Sequence, residues 1–341
     1  MKYSFKNDYS SIAHPLVLQK LLDSQNEQCV GYGLDQHTEN AKKLIKDKIK
    51  KDSKIYFVTG GTQANMIVIS SILRPHEAVI CADTGHINVH ETGAIEGRGH
   101  KCLAIPTADG KVTIEGIEKI LNTHLDCHMV KPKLVYISNS TEVGTVYNKE
   151  ELTKLYKFCQ EKGLYLYLDG ARLASALAAS DITYEDLGSY TDVFYIGGTK
   201  NGGYIGEAIV INNLSLGDEF DYLIKHFGGM LAKGFVGAIP FEVLMDGNLY
   251  YDIGRKENEA AAFITKELKE LGFEFLSDSP TNQIFPIVPN YILDDLYNEF
   301  LYEIWQPINE EYTAIRFVTS FTTRPLHCKM LIECIKNLIN R

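Results

Sequence analysis

The sequence predicts an α/β protein: a large part built on a buried, mostly parallel seven-stranded sheet, and a smaller α+β C-terminal part. Seven strand-like runs are near-continuously apolar, as strands covered on both faces must be. Most are separated by segments long enough for a helix, which a parallel crossover requires. Charge and glycine collect where the runs stop, and open α/β sheets bind ligands at the carboxyl ends of their strands.

The chain has 341 residues, 45% of them hydrophobic, enough for about two domains. A net charge of −10 argues against nucleic acid or an anionic membrane as partner. The seven cysteines form no CxxC pair and read as reduced thiols. The opening MKYSFKNDYSS has no apolar signal region, and no apolar run reaches spanning length. A cytoplasmic protein is the expectation.

Residues 1–35 read as an irregular segment and arm, with a short helix over 15–22 and a loop, CVGYGLDQHT, that carries Tyr32. An amphipathic helix with a basic, solvated face follows over 38–51. The strands are expected at 55–61, 77–83, 101–107, 133–139, 164–170, 192–198 and 207–213, with helices over 62–74, 87–97, 113–125 and 148–163. The connection between the last two runs is too short for a parallel crossover, so one of them should run antiparallel. The large domain is placed at 36–245 and the smaller one at 246–341, bridged by a long helical region over 240–271. A strand over 282–289, a helix over 290–302, a strand over 313–321 and a helix over 327–340 complete the smaller domain.

Four strand ends carry the candidate chemistry. In TGGTQAN (59–65) Gly60 and Gly61 permit a tight turn, Thr62 can cap the helix, and a helix N-terminus suits a phosphate. The same residues also make an ordinary strand-to-helix turn. In DTGHINVHE (83–91) His86 and His90 are four apart, with Glu91 adjacent; either His stacks on a flat ring, or both are partly buried polar residues. No third ligand at fixed spacing supports a metal there. Asp169 closes the run LYLYL, where a carboxylate needs a cation or several donors. Arg172 is one candidate partner, and a protonated pyridine nitrogen is the other. Lys200, between GGT and NGG and 31 residues beyond Asp169, is either an exposed loop lysine or a desolvated nucleophile. A phosphate turn, a ring platform, an Asp and a Lys in this order are what a pyridoxal phosphate site requires.

On DGAR (169–172) with Lys200, GGT (60–62), ADTGHINVHETGA (82–94), YGLD (32–35), GGM (228–230) and IRFVTS (315–320), the chain resembles the threonine aldolase / aromatic amino acid β-eliminating lyase family. These are fold-type I pyridoxal 5'-phosphate enzymes, and the resemblance covers nearly the whole chain. It implies that Lys200 forms the Schiff base, that Asp169 pairs with the pyridine nitrogen and that His86 stacks on the ring. It implies that Gly61 and Thr62 hold the phosphate and that Arg172 and Arg316 bind the substrate carboxylate. A small amino-acid substrate and a tetramer built as a dimer of dimers are implied too, with Tyr32 reaching a neighbouring subunit's site. Three positions depart from the family pattern: Thr141, followed by Glu142, stands where a substrate-contacting His is usual, Gly60 replaces a Ser, and Asn7 replaces a carboxylate-binding Ser. The expected reaction is cleavage of a β-hydroxy-α-amino acid such as threonine, with His90, Glu142 or a water as base. β-Elimination or racemisation, or amino-acid binding with little turnover, are the alternatives.

Overall fold

The computed structural model describes residues 2–340. Its strands are β1 (Tyr3–Ser4), β2 (Lys54–Val58), β3 (Glu77–Ala82), β4 (Cys102–Ile105), β5 (Lys131–Ser138), β6 (Tyr165–Asp169), β7 (Val193–Gly197), β8 (Glu207–Ile211), β9 (Gln283–Ile284), β10 (Ile287–Pro289), β11 (Phe300–Leu301), β12 (Glu303–Pro307) and β13 (Tyr312–Val318). Its α-helices are α1 (Pro15–Asp23), α2 (Gln36–Ile49), α3 (Gly61–Ile72), α4 (His86–Val89), α5 (Ile114–Thr123), α6 (Lys149–Glu161), α7 (Leu173–Ala179), α8 (Tyr184–Ser189), α9 (Phe220–His226), α10 (Gly234–Leu244), α11 (Leu249–Glu270), α12 (Leu293–Glu299) and α13 (Pro325–Ile339).

The seven expected strands form one sheet in the order β2-β8-β7-β6-β5-β3-β4. Only β8 is antiparallel to its neighbours, as the short connection from β7 demands. β3, β7 and β8 are buried at every residue, which explains why their sequences do not alternate. One core lies on each sheet face. Ile80, Val135, Leu166 and Phe194 point to the first, and Val79, Leu134, Tyr167 and Tyr195 to the second. Neighbouring residues of one strand thus serve opposite cores.

A third core gathers β9, β13, α13 and the C-terminal half of α11, through residues such as Ile264, Ile284, Phe317 and Leu331. The N-terminal segment, expected to be irregular, contributes to it: β1 pairs with β11, and Phe5 is fully buried there. The N-terminal half of α11 instead lies on α7, where Asn258 exchanges hydrogen bonds with Ser175.

Several elements differ from expectation. The helix expected over 87–97 is one turn, α4, which stops at His90, and Thr92 and Gly93, both at positive φ, keep it from resuming. The region 240–271 is two helices, broken near Gly247 at φ 57°. The strand over 282–289 splits into β9 and β10 around Pro286, and the helix over 290–302 ends at Glu299, before β11. Neither β12, which carries Trp305, nor β1 has a sequence counterpart in the expected elements.

Candidate active site

Parallel pairing of β5, β6 and β7 brings their carboxyl ends side by side, with Ser138 opposite Asp169. The two ends are packed so closely that side chains are excluded. A Cβ on Gly170 would lie 2.0 Å from the Tyr195 carbonyl oxygen, and one on Gly197 would lie 2.5 Å from that of Ala171. Asn201 bridges them by donating to the carbonyls of Ala171 (2.9 Å) and Gly197 (2.8 Å). The glycines of DGAR and GGTK therefore hold Asp169 and Lys200 in one place.

Asp169 is buried. Its partner is not Arg172, as one expectation had it. Tyr136 Oη (2.6 Å) and Asn65 Nδ2 (3.3 Å) donate to Oδ2, while Tyr195 Oη and the Ala171 amide donate to Oδ1. Four neutral donors hold the carboxylate in the sheet without consuming its charge. Asn65 also donates to Glu91 Oε1 (2.7 Å), which lies 2.8 Å from His86 Nδ1, and Tyr167 Oη donates to Asn65 Oδ1. One hydrogen-bonded chain thus sets both the carboxylate and the His86 ring. Burial would lower the His86 pKa, but the Glu91 hydrogen bond and the charges of Glu142 and Asp169 raise it.

Arg172 is buried in a two-pronged pair with Asp8, Nε to Oδ2 at 2.7 Å and Nη2 to Oδ1 at 3.2 Å, and Asn282 donates to the same Asp8. Burial raises the Asp8 pKa, yet Arg172 and Lys200 bring it below the ordinary value. Lys200 is half-buried, and its pKa is lowered, first by desolvation and then by Arg172. More of its amine is therefore neutral near pH 7 than for a free lysine.

A cleft of about 450 Å³ joins Lys200 to Tyr9, His86, His90, Glu142, Arg172, Trp305 and Arg316. Arg316 stacks over Trp305 at 4.9 Å and donates to Gln283 Oε1. Its Nε is buried and, among the described residues, has no hydrogen-bond partner, a need that an anionic oxygen bound beside Arg316 would meet. Burial pushes the His90 pKa down, opposed by Glu142, so the ring is neutral at pH 7.

Other expected residues lie elsewhere. Thr62 does not cap α3: Gly60 is the N-cap, without a side-chain bond, so the first amides of the helix stay open to an anion. Thr141 is buried, and its hydroxyl bonds Thr145 and the Asp109 carbonyl; its neighbour Glu142 lines the cleft instead. Asn7 turns its side chain back onto the Tyr9 amide and Ser10. Tyr32 stands at φ 61° under Lys225 and lines a different cavity, beside β2. Asn65, Tyr136, Tyr195 and Asp8 were not singled out from sequence. The alternation of LVYIS and VFYIG could have flagged the two tyrosines as sharing the Asp169 face.

Behind the Lys200 turn, Glu207 accepts from the Gly198 amide at 2.8 Å. Burial raises its pKa to about 7 against an ordinary 4.5, with that amide, Thr199 and Lys200 opposing. A raised acid pKa favours the folded state at low pH, and that advantage is lost between pH 4.5 and 7, where the glutamate of the unfolded chain ionises while the folded one stays protonated. Glu207→Gln should thus melt progressively higher relative to the parent as pH rises through this window, measured by thermal denaturation without cofactor. A constant offset across the window would contradict the assignment.

The model of the beta-eliminating lyase family matches residues 21–290. The chain belongs to this family. Low specificity L-threonine aldolases of Pseudomonas sp. and Pseudomonas aeruginosa are 32% and 33% identical to it, over 79% and 76% of this chain and 79% and 74% of theirs. A solved threonine aldolase from Leishmania major is 44% identical, with a TM-score of 0.98 and 99% of each chain covered. The chain is a pyridoxal phosphate-dependent enzyme with the fold-type I architecture. The residues present fit that cofactor: an uncapped helix start for its phosphate, a buried carboxylate for its ring nitrogen, and a half-buried lysine whose pKa is lowered.

Proposed function

We propose that the chain cleaves the Cα–Cβ bond of a β-hydroxy-α-amino acid, with threonine or allo-threonine as the simplest substrates, giving glycine and acetaldehyde. The observation that carries this reading is the single cleft in which Lys200 meets Arg172, Arg316, His90 and Glu142. When bound, pyridoxal phosphate supplies an electron sink for negative charge at Cα. Lys200 would hold it and, as a neutral amine, would take up and return a proton. Asp169 would keep the ring nitrogen cationic, and the Gly61 and Thr62 amides would hold the phosphate. Arg172 and Arg316 receive the substrate carboxylate, which orients the scissile bond.

The base for the β-hydroxyl is His90 in this reading. Its ring is neutral at pH 7 and opens on the cleft, with the Glu142 carboxylate nearby to stabilise the imidazolium formed. Cleavage moves the hydroxyl proton to His90, and one proton, returned by His90 or by Lys200, reaches Cα to complete glycine. His90→Asn should lower kcat by about 10²–10⁴-fold with little change in cofactor loading. The parent's acid limb should fall below the ordinary His value of 6.5, because the folded pKa is lowered. An unchanged kcat in His90→Asn would move the role to Glu142 or water.

The direct test of the activity is incubation of the cofactor-loaded protein with threonine and assay of glycine and acetaldehyde. Neither product appearing, with cofactor bound, would turn the reading toward β-elimination, racemisation or binding alone, which a panel of amino acids separates.

A cytoplasmic homo-oligomer, a tetramer as a dimer of dimers, completes the proposal. It is supported by the exposed Tyr32, Leu34 and Leu231 beside the edge strand β2. Tyr32 would then serve a neighbouring subunit's cleft. Among the described residues no helix is long and apolar enough to cross a membrane. The domain limits at 36–245 and 246–341 remain part of the proposal, with α11 shared between the first and third cores.

A further inference from the structure

A second cluster of ligating side chains lies outside the Lys200 cleft. A carboxylate oxygen of Glu27, the sulfur of Cys29 and a ring nitrogen of His37 all lie within 4.8 Å of one another. Glu27 and Cys29 stand on the loop between α1 and α2, and His37 is the second residue of α2. The His37 side chain is buried, with Nε2 2.9 Å from Glu27 Oε2 and Nδ1 2.7 Å from Glu242 Oε2. Glu242 belongs to α10 and is itself fixed, by the Asn40 amide at 2.8 Å and the Lys20 ammonium at 3.6 Å. A carboxylate that holds one ring nitrogen, and so aims the other at a ligand site, is how metal-binding histidines are usually oriented.

We infer that Glu27, Cys29 and His37 form a binding site for a borderline divalent cation of the zinc class. Mixed nitrogen, sulfur and oxygen donors select such an ion over magnesium or calcium, which prefer oxygen alone. Glu242 keeps the proton on Nδ1, and Nε2 turns from Glu27 to the ion. Three protein ligands leave a fourth position to water. An imidazolium between two carboxylates would account for Glu27, His37 and Glu242, but it gives Cys29 no part.

The ion would act on structure rather than chemistry. It would pin the loop after α1 to α2 and, through Glu242, to α10. Two residues past Cys29, Gly31 packs so closely on Ala232 that a Cβ would lie 2.4 Å from its carbonyl, and the Tyr32 amide donates to that same oxygen at 3.2 Å. The site would therefore set the path of the Tyr32 loop.

The test uses tag-free holoenzyme titrated with Co²⁺ as the spectroscopic probe and Zn²⁺ as competitor. One equivalent of cobalt per chain should bind with a thiolate-to-cobalt charge-transfer band, and zinc should displace it. Cys29→Ser should remove the band while the absorption of the Lys200-bound cofactor stays unchanged. Glu242→Gln, which leaves all three ligands in place, should weaken cobalt binding about 10–100-fold. The inference is overturned if the parent shows no charge-transfer band, or if Cys29→Ser keeps the band and the affinity. Should Cys29→Ser fail to fold, unaltered cobalt affinity in Glu242→Gln overturns it alone.

Discussion

Lys200→Ala is expected to abolish both retention of pyridoxal phosphate after borohydride treatment and the absorption of the lysine-bound cofactor. Catalysis should fall by at least ~10³-fold, since one residue both carries the cofactor and moves a proton. The structural basis is the placement of Lys200 beside Arg172, where desolvation and a neighbouring cation favour the free amine. The substituted residue is half-buried in a glycine-rich turn held by Asn201, so the turn should survive the change. The measurement is a spectral titration with pyridoxal phosphate, paired with mass analysis of the reduced protein. Retention of covalently fixed cofactor by Lys200→Ala would refute the assignment outright.

Asp169→Asn is the second large effect. The carboxylate is positioned by Tyr136, Tyr195, Asn65 and the Ala171 amide, all neutral donors, so its charge remains available to a ring nitrogen. An amide in its place would be neutral and would present hydrogens to hydroxyls that now donate. Kcat should drop about 10²–10³-fold, comparable to losing one preorganised electrostatic group. Cofactor should remain attached to Lys200, which separates this variant from Lys200→Ala. An Asp169→Asn enzyme with parental kcat would show that the carboxylate is structural.

Legibility of the site follows distance along the chain. Asp169 and Lys200 were readable because each closes an apolar run and is followed or flanked by glycine. The glycines are there because neighbouring carbonyls approach within about 2.0–2.5 Å of where a Cβ would sit. The partner of Arg172 was not readable: Asp169 lies three residues away, but Asp8, 164 residues distant, makes the pair. The Glu91–His86 contact was likewise hidden, since the helix stops at His90, and Glu91 reaches the ring from beyond it rather than by the helix's own period. Thr141 was placed toward the substrate by its position after the strand expected over 133–139, yet the loop buries its hydroxyl on Thr145 and exposes Glu142 to the cleft. β12 escaped notice because EIWQP lies mostly exposed at a sheet edge and lacks an apolar pattern.

The sequence by itself determined the seven-stranded sheet, the antiparallel β8 and the strand ends that carry Asp169 and Lys200. Burial on both faces, crossover length and glycine at close approaches are short-range constraints, written in consecutive residues. Only the tertiary structure decided which charges meet. It paired Arg172 with Asp8, surrounded Asp169 with neutral donors, left Arg316 Nε buried with no partner among the described residues and set His37 between Glu27 and Glu242. Each of these satisfies a buried polar or charged group, and such a group takes its partner from whatever part of the chain the packing brings within hydrogen-bonding distance.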